Sequence, residues 1–294
     1  MAAASGLPLL AGEERDPRAT STYGTGQLIL DALDRGVIDI SLAIGGSATN
    51  DCGMGAMRAL GARFLDEKGA ELSGVGSDLA RVSSVDLSGM DPRVSTAAFH
   101  VMCDVDNPLV GERGATYTFG PQKGATPQIA DELEAGMIHM ASVLECMFGC
   151  DVASEPGMGA AGGLGAAARL FLSAEVVGGV DWVLDLVRFD EALSGCSLCI
   201  TGEGHADGQS AHGKVVSGVA SRCKREGIPC VAIVGGMNPD AMELLDCGVD
   251  AIVPTVIDAA SLEDVLANAE RNFRMAARRV FSLISVGQGL GEAK

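Results

Sequence analysis

A chain of 294 residues with 47% hydrophobic, 20% charged and only 4% aromatic side chains can bury aliphatic cores of domain size, which excludes global disorder and predicts two domains. Its 21 basic and 39 acidic residues give a formal charge of −18, which repels phosphate backbones and anionic lipid and so speaks against nucleic acid or membrane as partner. Glycine, 40 of 294 residues, is about twice its usual share and has no triplet period, which excludes collagen and implies many tight loops.

In chain order, the pattern predicts a helix over 25–33 stopped by Gly36, an alternating strand over 38–44, and a helix over 54–65 with apolar residues at 54, 57, 60 and 64. A second strand over 98–103 runs into Asp104-Val105-Asp106-Asn107-Pro108. Thr126-Pro127 reads as the cap and first turn of a long helix, with Ile129, Leu133, Met137, Met140, Leu144 and Met147 on one core-facing stripe. A Gly/Ala-rich segment over 156–168 leads into another helix. Together these describe a mixed α/β domain over 1–195.

From 196 to 294, short apolar runs alternate with helical patterns, the signature of a parallel sheet. The strands are expected over 197–201, 229–234 and 251–257, the last near an edge because Pro254 interrupts it. A glycine-rich loop over 202–213 follows the first strand. It leads into a helix over 214–226 stopped by Gly227, and a short helix over 238–247 follows the second strand. Ser261 with Asp264 caps a final long helix carrying Leu262, Val265, Phe273, Ala276, Val280 and Leu283. Three strands are few for a sheet of this kind.

No run of 18 uncharged apolar residues occurs, and residues 1–12 carry no basic flank; a cytoplasmic protein is expected. Nine irregularly spaced cysteines read as reduced, buried thiols. Cys196 and Cys199 form a Cys-x-x-Cys, but no second pair or histidine stands nearby, so metal binding is not expected there.

Several segments carry chemistry. Gly45, Gly46, Ser47, Thr49, Asn50 and Asp51 lie between a strand and a helix, where amide groups converge on an anion and Asp51 either caps the helix or holds a metal ion. Asp104, Asp106 and Asn107 end a strand and offer oxygen ligands to Mg2+ or hydroxyls; the loop lacks the sixth-position glycine of an EF-hand. Lys123, between Gly120 and Gly124, reads either as a phosphate or carboxylate contact or as a surface lysine. Glu203, His205 and Asp207 form the richest loop, with Glu203 and Asp207 as candidates for metal ligand and general base. His212 belongs to the same loop. Residues 208–214 mimic a phosphate-binding P-loop, but Val215 stands where Ser or Thr is required. Gly157 to Gly162 matches Gly-x-Gly-x-x-Gly without a preceding strand.

The segments GGSATND (45–51), CDVDNPLVG (103–111), FGPQKGA (119–125), GAAGGLGA (159–166) and TGEGHADGQSAHGK (201–214) resemble the bacterial glycerate kinase family in order and interval. The resemblance implies ATP- and Mg2+-dependent phosphorylation of glycerate by a two-domain protein. It further implies a flavodoxin-like domain, to which 196–294 belongs, and a restriction-endonuclease-like domain within 1–195. Family members carry an N-terminal motif like IAPDSFK and a second like DGGEGT, and neither occurs here. The flavodoxin-like half is therefore expected to be incomplete, and the alternative reading is a truncated fragment that at most binds ligand.

Under the resemblance, Asp104, Lys123, Glu203 and Asp207 are catalytic, with Asp104 and Glu203 on the metal. Gly45, Gly46, Ser47, Asn50, Asp51, Asn107, Gly162, Gly163, His205 and Lys214 bind substrate or nucleotide. Three departures stand out: His205 replaces a usual Arg, Gly208 a Ser or Thr, and Cys52 a glycine.

Overall fold

The computed structural model describes residues 1–211 and 214–292; His212 lies outside them. The chain forms two compact units, Met1–Gly178 and Gly179–Lys294. The expected boundary after 195 falls inside the second unit, because Leu184 and Leu193 are buried with Val216 and Val219 of that unit.

The first unit runs α1 (Ala2–Ser5), α2 (Tyr23–Asp34), β1 (Asp39–Ala43), α3 (Met54–Ala59), β2 (Arg63–Leu65), β3 (Ser84–Asp86), β4 (Ala98–Met102), α4 (Ala115–Phe119), α5 (Pro127–Phe148), α6 (Ala160–Leu172) and β5 (Glu175–Val177). β4 is the middle strand of a parallel sheet ordered β1-β4-β5, in register from Asp39 opposite Ala98, and β2 and β3 pair antiparallel. α5 behaves as its pattern dictates. The Thr126 hydroxyl accepts from the Ile129 amide at 3.3 Å, Leu133, Met137, Met140 and Leu144 are buried, and Gly149 closes the helix in the left-handed region. Met147 departs from the expected stripe and is exposed. The helix expected over 54–65 stops at Ala59 instead, since Gly61 turns the chain at φ +101° and Phe64 enters β2. Leu60 and Phe64 keep helical spacing but are buried from a turn and a strand.

The second unit runs α7 (Gly179–Leu186), α8 (Phe189–Leu193), β6 (Cys199–Ala206), α9 (Val215–Glu226), β7 (Cys230–Met237), β8 (Ala251–Pro254), α10 (Leu262–Ala267) and α11 (Ala269–Glu292). The sheet is parallel and ordered β6-β7-β8, with Pro254 on the edge strand as expected. Alternation along β7 serves two cores: Cys230, Ala232 and Val234 are buried with Val216, Ala220 and Cys223 of α9, while Val231 and Ile233 meet Ala276 and Val280 of α11. α10 and α11 divide the expected final helix, and Phe273 and Leu283 lie on its exposed face. β6 is longer than expected, since residues 202–206 are strand paired with β7, His205 opposite Gly236. A Cβ on Gly235 would stand 2.2 Å from the Gly204 carbonyl oxygen; glycine here permits close approach of strands rather than a turn.

All nine cysteines are free thiols, but the expectation that they are uniformly buried is corrected: Cys52, Cys223 and Cys230 are buried, whereas Cys146, Cys150 and Cys196 sit at exposed helix ends and turns. Among the described residues no helix is long and apolar enough to cross a membrane.

Arg222 of α9 pins α7 and α8 to the second unit through Asp181 at 3.0 Å, Asp185 at 2.5 Å and Asp190 at 3.0 Å. The guanidinium side chain is only 9% exposed, but its partners are 42–72% exposed, so screening reduces the worth of each pair. Arg222→Met is expected to destabilise this unit by about 1–2 kcal/mol. The sole tryptophan, Trp182, lies in α7, so its fluorescence reads the loss as a lower urea midpoint.

Candidate functional site

In the first unit, four of the motif segments line one cleft of about 270 Å3. Gly45, Gly46 and Ser47 form one wall, and residues 103–105 follow β4 as another. Phe119 ends α4 and Gln122 comes from the turn after it, while Ala160 and Ala161 come from the entrance of α6. Gly46 sits at φ +72°, so the turn needs glycine to expose its backbone here. Asp104 is exposed on the wall.

Several expected ligands lie beneath that cleft, not on it. Asp51 is fully buried. Its Oδ2 accepts from the Thr22 amide and hydroxyl, both at 2.7 Å, and from the Gly55 amide at 3.2 Å; Oδ1 accepts from the Gly53 amide at 3.1 Å. The capping reading of this residue therefore holds, and it joins the starts of α2 and α3. Burial pushes its carboxyl pKa up while these donors oppose the shift. Asn50 is also buried and donates to the Thr116 hydroxyl at 3.2 Å.

Lys123 is 1% exposed and donates to the Thr49 carbonyl at 2.7 Å. It is neither a surface lysine nor a group on the cleft wall. Desolvation lowers its pKa to about 8 against the pull of Asp51.

Gly162 and Gly163 are packing glycines: their left-handed backbones press on the 49–52 segment, where a Cβ on Gly162 would stand 2.0 Å from the Thr49 oxygen. Gly162 also accepts from the Cys52 amide at 3.0 Å. Cys52, which replaces a glycine of the resembled family, itself holds φ +51°. The Asn107 amide group donates to the Arg113 carbonyl at 2.7 Å and shapes its own loop, while Arg113 pairs with Asp106.

In the second unit, the remaining motif lies at the C-terminal end of the parallel sheet, where open α/β sheets bind ligands. His205 Nε2 is 3.1 Å from Asn238 Oδ1. Asp207 pairs with Lys214 at 3.4 Å and bonds with Ser210 just ahead of α9. Burial resists ionisation of Asp207, but Lys214 and Ser210 outweigh it and hold the carboxyl below the ordinary range. That makes Asp207 a stable anion and a weak proton acceptor. Glu203 Oε1 is buried without a hydrogen-bond partner among the described residues. Asp240 lies beside the same loop: its Oδ2 would be 3.0 Å from a Cβ at Gly208. Sequence reasoning missed Thr22, Thr116, Asn238 and Asp240, because their partners lie 29 to 66 residues away or on the neighbouring strand.

The buried lysine sets a pH dependence. Below pH about 8 its ammonium is charged in folded and unfolded chains alike; from about 8 to 10.5 the folded protein releases the proton first, so the unfolded state binds more protons and stability rises with pH. The unfolding free energy of the wild type minus that of Lys123→Met should therefore increase between pH 7.5 and pH 10, roughly the span of that shift. Urea titrations followed by far-UV circular dichroism measure it, and parallel pH profiles would show that the amine is not desolvated.

The chain matches the profile of the glycerate kinase family over residues 1–285. It is 45% identical to the glycerate kinase of Halalkalibacterium halodurans over 280 residues, 95% of this chain and 74% of that protein. It is 42% identical to the glycerate 2-kinase of Escherichia coli over 287 residues, 98% of this chain and 75% of that one. A solved structure from Salmonella typhimurium LT2, assigned as a glycerate kinase 2, superposes with a TM-score of 0.84 at 42% identity, over 98% of this chain and 75% of its own.

Proposed function

This chain belongs to the glycerate kinase family, and from that premise we propose that it transfers a phosphoryl group from ATP to a hydroxyl of glycerate. The observation that carries the reading is the convergence of four glycine-bearing segments on the small cleft of the first unit. A volume of about 270 Å3 suits a three-carbon hydroxy acid and is below the usual range for larger ligands. The Gly45 and Gly46 amides supply neutral donors to its carboxylate, and Ser47 adds a hydroxyl. Asp104 is positioned to accept from a substrate hydroxyl and so to orient it.

The C-terminal end of the second unit's sheet takes the polyphosphate. α9 begins immediately after Lys214, and its unpaired amides attract phosphate oxygens. Glu203 and Asp207 offer the oxygen donors that would hold Mg2+ at this end of the sheet, and the Oε1 of Glu203 is buried with no hydrogen-bond partner among the described residues. When bound, Mg2+ supplies charge neutralisation on the transferring phosphoryl group. His205 donates to or accepts from the same region while Asn238 fixes its ring, the place of a permanent cation in the resembled family. Asp207 orients Lys214 and stays ionised; its contribution is placement of charge rather than proton removal.

Purified chain incubated with ATP, Mg2+ and D-glycerate should release ADP and yield a phosphoglycerate identifiable by 31P NMR. Asp207→Asn should lower kcat/KM by about two orders of magnitude, the usual loss on removing one charge-stabilising contact in phosphoryl or acyl transfer. Nucleotide binding without turnover in the folded chain would overturn the assignment of activity.

A further inference from the structure

The fold gathers three thiols that the sequence leaves 7 to 31 residues apart. Cys199 opens β6, Cys230 opens β7 directly opposite it, and Cys223 reaches them from the last turn of α9. Their sulfurs all lie within 4.8 Å of one another. Cys223 and Cys230 are fully buried, Cys199 partly so. Each sulfur is therefore within reach of the other two. Cys196, the expected partner of Cys199, is exposed and takes no part: its thiol donates to the Ala192 carbonyl.

This cluster sits at the N-terminal end of the sheet, opposite the end that carries His205 and Asp207. A centre bonding three sulfurs at about 2.3 Å, the zinc–thiolate length, draws them to within about 4 Å of each other, a small adjustment here.

Charge decides which centre fits. Two of the three sulfurs are sealed from solvent, so a net charge left on the centre has no water to solvate it. The carboxylate of Asp250, which accepts from the Cys230 amide at 2.7 Å, adds negative potential. A divalent ion on three thiolates would retain a buried negative charge and, with no fourth ligand in the cluster among the described residues, an incomplete shell. A trivalent thiophile leaves none.

We infer that Cys199, Cys223 and Cys230 form a three-sulfur binding site for trivalent arsenic, taken up as neutral arsenous acid. The step is a condensation: As(OH)3 and three thiols give As(S)3 and three waters. Three As–O and three S–H bonds break, three As–S bonds form, each proton leaves with a hydroxyl, and arsenic remains trivalent. Both reactants and the product at the site are uncharged, which suits a buried pocket.

Reduced full-length chain incubated with sodium arsenite should gain, in native mass spectrometry, one arsenic less three protons. The exposed thiols Cys146 and Cys150 are the competing site, so Cys146→Ser/Cys150→Ser should retain the gain in full. Cys223→Ser and, separately, Cys230→Ala should each lose it, with folding checked by Trp182 fluorescence. In the wild type, arsenite should protect the peptides bearing residues 199, 223 and 230 from iodoacetamide. Uptake that survives Cys223→Ser and Cys230→Ala, or that disappears in the Cys146/Cys150 variant, would overturn the inference. So would stoichiometric zinc held by the three sulfurs without any uptake of arsenic.

Discussion

A carboxylate with no access to water organises the first unit. Asp51 accepts hydrogen bonds from Thr22, Gly53 and Gly55, and each charge-assisted bond made in a dry interior is worth more than its surface counterpart. The arrangement is tolerable only because donors surround the charge, since removing them would leave a buried anion. It also dictates geometry: the starts of α2 and α3 cannot separate, so the turn at 45–49 is clamped from below. Lys123 repeats the device from the other side by holding the Thr49 carbonyl. Gly162 makes room for that same carbonyl by lacking a side chain.

The consequence is a cleft with one wall of glycine backbone, facing side chains such as Asp104 and Gln122, whose rigidity comes from buried side chains. Substrate-binding loops that carry their own charged ligands can be read from a sequence, because the charges are conspicuous. Here the conspicuous residues are the supports. Asp51, Asn50 and Lys123 stand out in a glycine-rich stretch and invite a ligand role, yet all three are spent on holding the loops in place. The surfaces they hold include Gly45, Gly46, Ser47 and two alanines at the start of α6.

Local patterns carried most of the architecture. Thr126-Pro127, the Leu and Met stripe of α5, Gly227 after α9, and Pro254 on an edge strand all act through neighbours within a few residues, and they stand where the pattern puts them. Non-local pairings were not legible. The stretch 202–206 has the composition of a loop and is a strand only because β7 lies alongside, with Gly204 and Gly235 in close approach. Phe64 keeps the helical interval of α3 but belongs to β2, since Gly61 turns the chain first. The Asp51–Thr22 and Asn50–Thr116 bonds span 29 and 66 residues and leave no periodic trace.

The acidic composition poses a last physical question, how a chain of charge −18 receives anionic reactants. Free cationic side chains are not the answer at the sites described. Arg113 is matched by Asp106 and Lys214 by Asp207, while Lys123 is buried under its loop. Attraction must therefore come from short-range donors, the amides of the 45–47 turn and the start of α9, which act only once the ligand has arrived. Beyond about 8–10 Å at physiological salt the protein's own charge is screened, so its repulsion does little to slow approach, and the donors have to offset only the charges close to the site. Capture by amides also confers selectivity, because directional N–H groups demand the geometry of a carboxylate or phosphate where a mobile lysine would accept any anion. A site built this way gives up long-range steering and relies on preorganisation, which is what the buried carboxylate and amine beneath the turn provide.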